Sequence, residues 1–343
     1  MNFPKQFFIG VVFFLAATLL TLFAGEGVMR IISSFHLIYN IEMVKYAREL
    51  KMRDPKGEVS HVHRPSSHAR LMGVDISLNS LGQRGPERSV EKPMSTKRIL
   101  VLGSSITMGW GVPYEKIFTA STEDRLNHDK PFGPGLSFEI ENAGIGNYNT
   151  RFQHKLFDNQ YPIVKPDMVL LHYFISDAQP RGMGRDNFLL KYSYLAAFFF
   201  DRWSQLQMRM SGKFKDLFTF YNDLYRDDSP AWADTRREIG EMRDTAARDN
   251  VPFVIMIIPD IHDLSPDSPY GPLYKKMETA FRGMNIPTVN TFDQFQQKFG
   301  DDVTRLWIQS DDPHPNANGH ALMADILYQY LTEQDPMRLK KGS

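Results

Sequence analysis

Two short segments far apart in the chain carry side chains that could perform acyl transfer together. The first is Gly103-Ser104-Ser105-Ile106-Thr107-Met108-Gly109, and the second is Asp311-Asp312-Pro313-His314-Pro315-Asn316. A serine hydroxyl becomes a nucleophile when an imidazole takes its proton, and a carboxylate orients that imidazole through its other nitrogen. Asp311 and His314 stand three apart beside two prolines. On a rigid turn that spacing lets the Asp311 carboxylate reach Nδ1 and leaves Nε2 for Ser105. Asp312 is expected to be solvated. Asn316 or Asn318 is placed to cap a following helix.

These residues need a scaffold, and the chain between Arg98 and Leu331 supplies a rhythm of short apolar runs and longer amphipathic stretches. Strands are expected at Arg98–Gly103, Phe138–Gly144, Asp167–Phe174, Pro252–Pro259 and Pro287–Asn290. Helices are expected at Ala120–Asn127, Thr150–Tyr161, Trp232–Arg248, Leu273–Met284 and Asn318–Leu331. Alternation of this kind predicts an α/β fold, a parallel sheet with helices on both faces. Ligands bind at the carboxyl ends of such strands, which is where Ser105 falls. The segment 179–229 breaks the rhythm. Its roughly fifty residues far exceed an ordinary strand-to-helix loop, and it is rich in aromatics. It reads as a helical cover over the sheet edge, as a lid, or as a surface that meets a membrane or a membrane-protein partner.

Ahead of the rhythm lies an uncharged run of eighteen residues, Phe7 to Ala24. As a helix it reaches about 27 Å, one hydrocarbon thickness. A cleaved signal peptide is the alternative, but Leu22 stands where its cleavage site needs a small residue. The reading is therefore a transmembrane anchor over 1–30, a juxtamembrane helix and irregular approach segment over 31–97, and the α/β domain over 98–335. Lys5 on one side and Arg30, Lys45 and Arg48 on the other give no charge bias that orients the anchor.

Composition closes off other classes. Forty basic residues balance forty acidic ones among 343, so bulk electrostatic binding of nucleic acid is not expected. The chain has no cysteine, which removes disulfides, thiolate metal sites and a cysteine nucleophile. His61, His63 and His68 fit no common zinc spacing and are expected at the surface. Asp260, His262 and Asp263 follow the fourth strand and are expected to rim the cleft rather than hold a metal. Serine-based acyl transfer itself needs no metal or organic cofactor.

Taken together, GSSITMG and DDPHPNANGH resemble the first and last marked blocks of the SGNH hydrolases, the GDSL-type lipases and acylhydrolases. The resemblance spans about Arg98 to Leu331. It implies a three-layer flavodoxin-like sandwich around a five-stranded parallel sheet, with Ser105, His314 and Asp311 as the triad. NAGIGNYNT (Asn142–Thr150) resembles the second block, with Asn147 where the oxyanion glycine is expected and Gly146 one residue early. HYFISDAQ (His172–Gln179) resembles the third, with Ser176 where an asparagine is expected and Asp177 next to it. Ser104 stands where the first block usually has aspartate. The implied oxyanion donors are thus Ser105, Gly146 or Asn147, and Ser176. LNSLGQRGPE (Leu78–Glu87) looks like the lead-in of the membrane-anchored bacterial branch. A common α/β-hydrolase is disfavoured, since Thr107 stands where its GxSxG elbow needs glycine.

The resemblance implies a serine esterase or O-acyltransferase acting on acyl esters, acetylated or acylated carbohydrate among them. The expected setting is single-pass in the inner membrane with the soluble domain in the periplasm. The altered blocks keep a second reading open: a catalytically degenerate domain serving as a binding or assembly subunit of a membrane complex.

Overall fold

The computed structural model describes residues 5–184, 187–210, 216–310 and 312–340. The chain forms two compact units. One comprises Met1–Arg48 with Arg185–Phe214, and the other Glu49–Gly184 with Lys215–Ser343.

The larger unit is built on five parallel strands, β1 (Thr96–Gly103), β2 (Ser137–Gly144), β3 (Met168–Phe174), β4 (Phe253–Ile258) and β5 (Thr288–Asn290). Their order is β2-β1-β3-β4-β5. That is the flavodoxin-like order, whose switch point lies between the first and third strands. Each expected strand is present, within a few residues of its predicted ends. Ile99 to Leu102 on β1 and Val254 to Ile258 on β4 are completely buried. Helices cover both faces, so these strands read as continuous apolar runs rather than alternating ones. Each such Val, Leu or Ile contributes about 1.5–3 kcal/mol through burial.

Local signals start and stop the flanking helices. Asn149 caps Thr150–Val164 by accepting from Phe152 N–H. Ser229 caps Pro230–Arg248, with Pro230 at the first helical position, where its missing N–H costs nothing. The helices Phe118–Asp129, Tyr270–Gly283 and Ala317–Gln334 complete the expected set. Phe292–Phe299 is an additional helix that periodicity over so short a stretch did not show. The approach segment, expected to be irregular, contains the antiparallel pairs Lys51–Met52 with Val62–His63 and His68–Leu71 with Val74–Ser77.

In the smaller unit the apolar run extends into a single helix, Lys5–Phe35. It is the one helix among the described residues long and apolar enough to cross a membrane. A second helix, Tyr39–Glu49, follows. The insertion after β3 is helical, with Phe188–Tyr192, Tyr194–Met210 and Leu217–Leu224. Its Arg185–Phe214 portion belongs to the same compact unit as the amino-terminal helix.

Candidate active site

β1 ends at Gly103, and the chain turns at once into the short helix Ser105–Met108. The turn requires glycine on both sides of it. A Cβ on Gly103 would overlap Thr107, and one on Gly144 at the end of β2 would overlap Met108 and Thr107. Three further side chains, those of His172, Asn142 and Arg84, hold this elbow. Thr107 Oγ1 lies 2.8 Å from His172 Nδ1 on β3. The Asn142 amide donates to Thr107 O at 2.7 Å and to Thr119 Oγ1 at 3.0 Å. The buried Arg84 guanidinium donates to the carbonyls of Met108, Gly109 and Val112. Arg84 thereby satisfies the carbonyls that the end of the serine helix leaves open. It comes from the LNSLGQRGPE segment, which places that segment's role at the site.

The second segment arrives as a strand rather than a loose turn. Asp312–Pro315 pairs antiparallel with Trp307–Gln309. Asn316 fixes its end: the side-chain amide donates to Arg305 O and Trp307 O, and its oxygen caps the last helix at Asn318 N–H. His314 Nε2 lies 2.8 Å from Ser105 Oγ. His314 Nδ1 lies 2.5 Å from Asp312 Oδ1, and the His314 backbone N–H donates to the same oxygen. Trp110 Nε1–H donates to Asp312 Oδ2 at 2.9 Å.

The carboxylate at His314 is thus that of Asp312, which is fully buried and not solvated as expected. Asp311, the expected partner, lies outside the described residues. The physical reason for the shift is strand geometry. Residues two apart on a strand point to the same face, which brings the Asp312 carboxylate to the His314 imidazole. Burial works against the Asp312 charge. The bond and charge of His314, its backbone N–H and the Trp110 indole outweigh that and hold the carboxyl below its usual range. An ionised Asp312 accepts from Nδ1–H, which leaves Nε2 as acceptor for the Ser105 hydroxyl.

The expected oxyanion residues flank Ser105 on both sides, after the strands that neighbour β1. Gly146 and Asn147 lie in the turn after β2, and Ser176 in the turn Ile175–Ala178 after β3. Asn147 has φ +71°, a left-handed conformation that asparagine tolerates better than other side chains, glycine apart. Gly146 O accepts from Lys51 Nζ at 3.0 Å and from His61 Nε2 at 2.9 Å. The Tyr148 hydroxyl in turn donates to His61 O. Burial pushes the Lys51 ammonium down to about 7. Burial, and then the nearby Lys51, push His61 down to about 3. Neutral His61 therefore carries its proton on Nε2 and accepts at Nδ1 from Ser60 Oγ.

Two of the three histidines expected at the surface are thus corrected. His61 is largely enclosed and His63 is buried, with its ring on Gly82 O; only His68 is exposed. Asp177, beside Ser176, is buried as well. It accepts from Gln153 Nε2 and Phe174 N–H, and its Oδ1 has no partner among the described residues. Burial raises this carboxyl to about 7 against those two bonds.

Asp260 and His262 pair with each other, Oδ1 to Nδ1 at 2.5 Å. Donor atoms of His154, Glu238 and Glu241 lie within 4.8 Å of one another, with His154 Nδ1 2.5 Å from Glu238. Neither group touches Ser105 or His314. Lys51, His61, Arg84, Trp110 and Asp312 are the site residues that sequence reasoning did not assign. Arg84 and Asp312 lay in segments already marked, LNSLGQRGPE and DDPHPNANGH.

The fold and this side-chain arrangement define the class, a flavodoxin-like α/β sandwich with a serine and a histidine in hydrogen-bond contact at the switch point. A scan against protein-family models found no match, and neither did a search of curated proteins. Solved structures similar to this chain include TesA, with 15% identity, a TM-score of 0.43, and coverage of 68% of this chain and 98% of that one. Another is a variant of Axe2, an acetyl-xylooligosaccharide esterase from Geobacillus stearmophilus, with 14% identity, a TM-score of 0.45, and coverage of 68% and 93%. A third is the lipase/acylhydrolase from Enterococcus faecalis, with 13% identity, a TM-score of 0.41, and coverage of 69% and 96%.

Proposed function

We propose that the chain is a membrane-anchored serine esterase or O-acyltransferase. The single observation that carries this reading is the continuous hydrogen-bonded relay from Asp312 through His314 to Ser105. Ser105 Oγ attacks an ester carbonyl as His314 Nε2 takes its proton. Asp312 holds the imidazole in the required tautomer and stabilises its charged form. The carbonyl oxygen becomes an oxyanion, received by the backbone N–H of Ser105 and of Asn147, with the Ser176 hydroxyl as a side-chain donor. His314 then returns the proton to the leaving alcohol. Water as second acceptor completes hydrolysis, and a sugar hydroxyl completes acyl transfer. Acylated carbohydrate is the substrate class that the sequence resemblance favours.

Asn147 serves this role through its peptide, so the missing glycine does not weaken it. In a trans peptide the Gly146 C=O and the Asn147 N–H point in opposite directions. Lys51 and His61, both bound to that carbonyl, hold the N–H in a fixed direction and deepen its polarity.

The Lys5–Phe35 helix supplies the anchor, and the inner membrane with the catalytic unit in the periplasm is the setting proposed. The degenerate-subunit reading rests on the three block departures, Ser104, Asn147 and Ser176, and on the aromatic-rich insertion, and the intact relay speaks for catalysis over it. The direct test is turnover of an activated acetyl ester by the full chain. Ser105→Ala is expected to lower kcat by roughly 10⁴-fold or more. Unchanged turnover in that variant sinks the proposal.

A further inference from the structure

The insertion helix Tyr194–Met210 is tied to the amino-terminal helix by a cap donated from outside its own sequence. The Glu26 carboxylate accepts from Ser193 Oγ at 2.8 Å, from Tyr194 N–H at 3.2 Å and from Leu195 N–H at 3.0 Å. The Tyr194 and Leu195 N–H groups are open donors of a helix N-terminus, which a carboxylate stabilises. Arg30, one turn on from Glu26 and paired with it, donates to Tyr192 O and lies 4.6 Å from the Tyr194 ring centroid. Gly25 leaves room for Leu195, whose Cδ2 would stand 3.1 Å from a Cβ added there.

Glu26 follows the apolar run by two residues. If Phe7–Ala24 spans a bilayer, Glu26 marks the headgroup level, and the insertion helix starts at that level. From Arg30 to Gly25 the contacts move from Tyr192 to Leu195, so the insertion chain enters its helix heading toward the membrane.

The faces of this helix divide sharply. Tyr194 and Ala197 are buried. Phe199, Trp203, Leu206 and Met210 recur at intervals of three and four, which is one stripe of a helix. All four are exposed, with Phe200 at the stripe's edge. The preceding Phe188–Tyr192 helix adds exposed Phe188, Leu189 and Tyr192. So large a bare apolar surface is unusual on a soluble protein. Aromatic residues of this kind concentrate at membrane–water boundaries. Asp201 and Arg202 on the same helix keep it out of the hydrocarbon centre, where charges are costly.

We propose that the Tyr194–Met210 helix lies in the lipid–water interface of a phospholipid bilayer, with the Phe199–Trp203–Leu206–Met210 stripe against the upper acyl chains. This rests on the anchor reading of Lys5–Phe35 and adds to it a second, interfacial attachment docked through Glu26. Such helices bury their apolar face to a depth of about 5–10 Å.

Trp203 reports on this directly, because the other three tryptophans, Trp110, Trp232 and Trp307, belong to the larger unit. The full chain is reconstituted into vesicles, checked by flotation, and its emission compared in plain lipid, lipid brominated near the headgroup and lipid brominated at mid-chain. Quenching is expected to be stronger with the shallow bromines. It should remove up to about a quarter of the emission, one tryptophan in four, and should vanish in Trp203→Phe. A chain that floats but whose quenching is the same in Trp203→Phe overturns the proposal alone. So does a Trp203 shielded by a co-purifying protein, which assigns the stripe to a protein partner. A chain that does not float overturns the anchor reading and this proposal with it.

Discussion

Lys51 Nζ lies 3.0 Å from the carbonyl oxygen of Gly146, in the peptide whose opposite end is the N–H of Asn147. The approach segment therefore contributes to the site, although it precedes the α/β domain in sequence. Lys51→Met removes a donor on that carbonyl and leaves His61 in place. Direct loss of an oxyanion donor costs 10²–10³-fold, so loss of its support is expected to cost about tenfold in kcat, with KM nearly unchanged. The same variant carries a pH signature. The folded chain gives up the Lys51 proton near pH 7, whereas the unfolded chain keeps it to about 10.4. The unfolded state binds more protons across that window, so wild-type stability rises with pH there. Melting temperatures from pH 7 to 10 should show this rise in the wild type and a flatter profile in Lys51→Met. A variant with normal kcat assigns Lys51 a purely structural role.

Asp312 and Asp311 are adjacent in sequence but are expected to differ completely in effect. Asp312→Asn presents an amide N–H to His314 Nδ1 and selects the wrong tautomer. In serine proteases that change lowers kcat by roughly 10⁴-fold, and the same order is expected here. Asp311→Asn should leave kcat within about twofold, since the orienting role belongs to its neighbour. Steady-state kinetics of the two variants side by side decide the assignment. The reverse pattern would return the role to Asp311.

Asp177 gives a stability test independent of catalysis. Burial raises its carboxyl to about 7, above the unfolded value of about 3.9. The folded chain then holds a proton that the unfolded chain has released, and stability falls as pH rises through that window. Asp177→Asn keeps an acceptor for Gln153 and Phe174 and removes the titration. Its melting temperature is expected to exceed that of the wild type by a few degrees at pH 8 and to match it near pH 4. Equal differences at both pH values contradict the assignment.

The scaffold was legible because its strands are buried on both faces. RILVLG, FEIENAG and PFVIMIIP stand out as short runs bounded by turn residues, and the helices between them repeat at helical spacing. Ser105 and His314 were legible because each sits in a motif beside a sheet end or a helix start. Asp312 was missed because the residues DDPHP read as a turn, whereas pairing with Trp307–Gln309 makes Asp312–Pro315 a strand. Lys51 and His61 carried no local signal. Their burial comes from packing against the turn after β2, about ninety residues away, and no spacing within 31–97 reveals it. Glu26 was equally silent, because the helix it caps lies in the insertion.

The central claim is that Ser105 is an activated nucleophile, and covalent labelling of the full chain by a fluorophosphonate tests it most directly. Peptide mapping should find one adduct, on Ser105, and His314→Ala should abolish it while the chain remains folded. An unlabelled wild-type chain, or an adduct on Ser105 that forms equally without His314, contradicts the account.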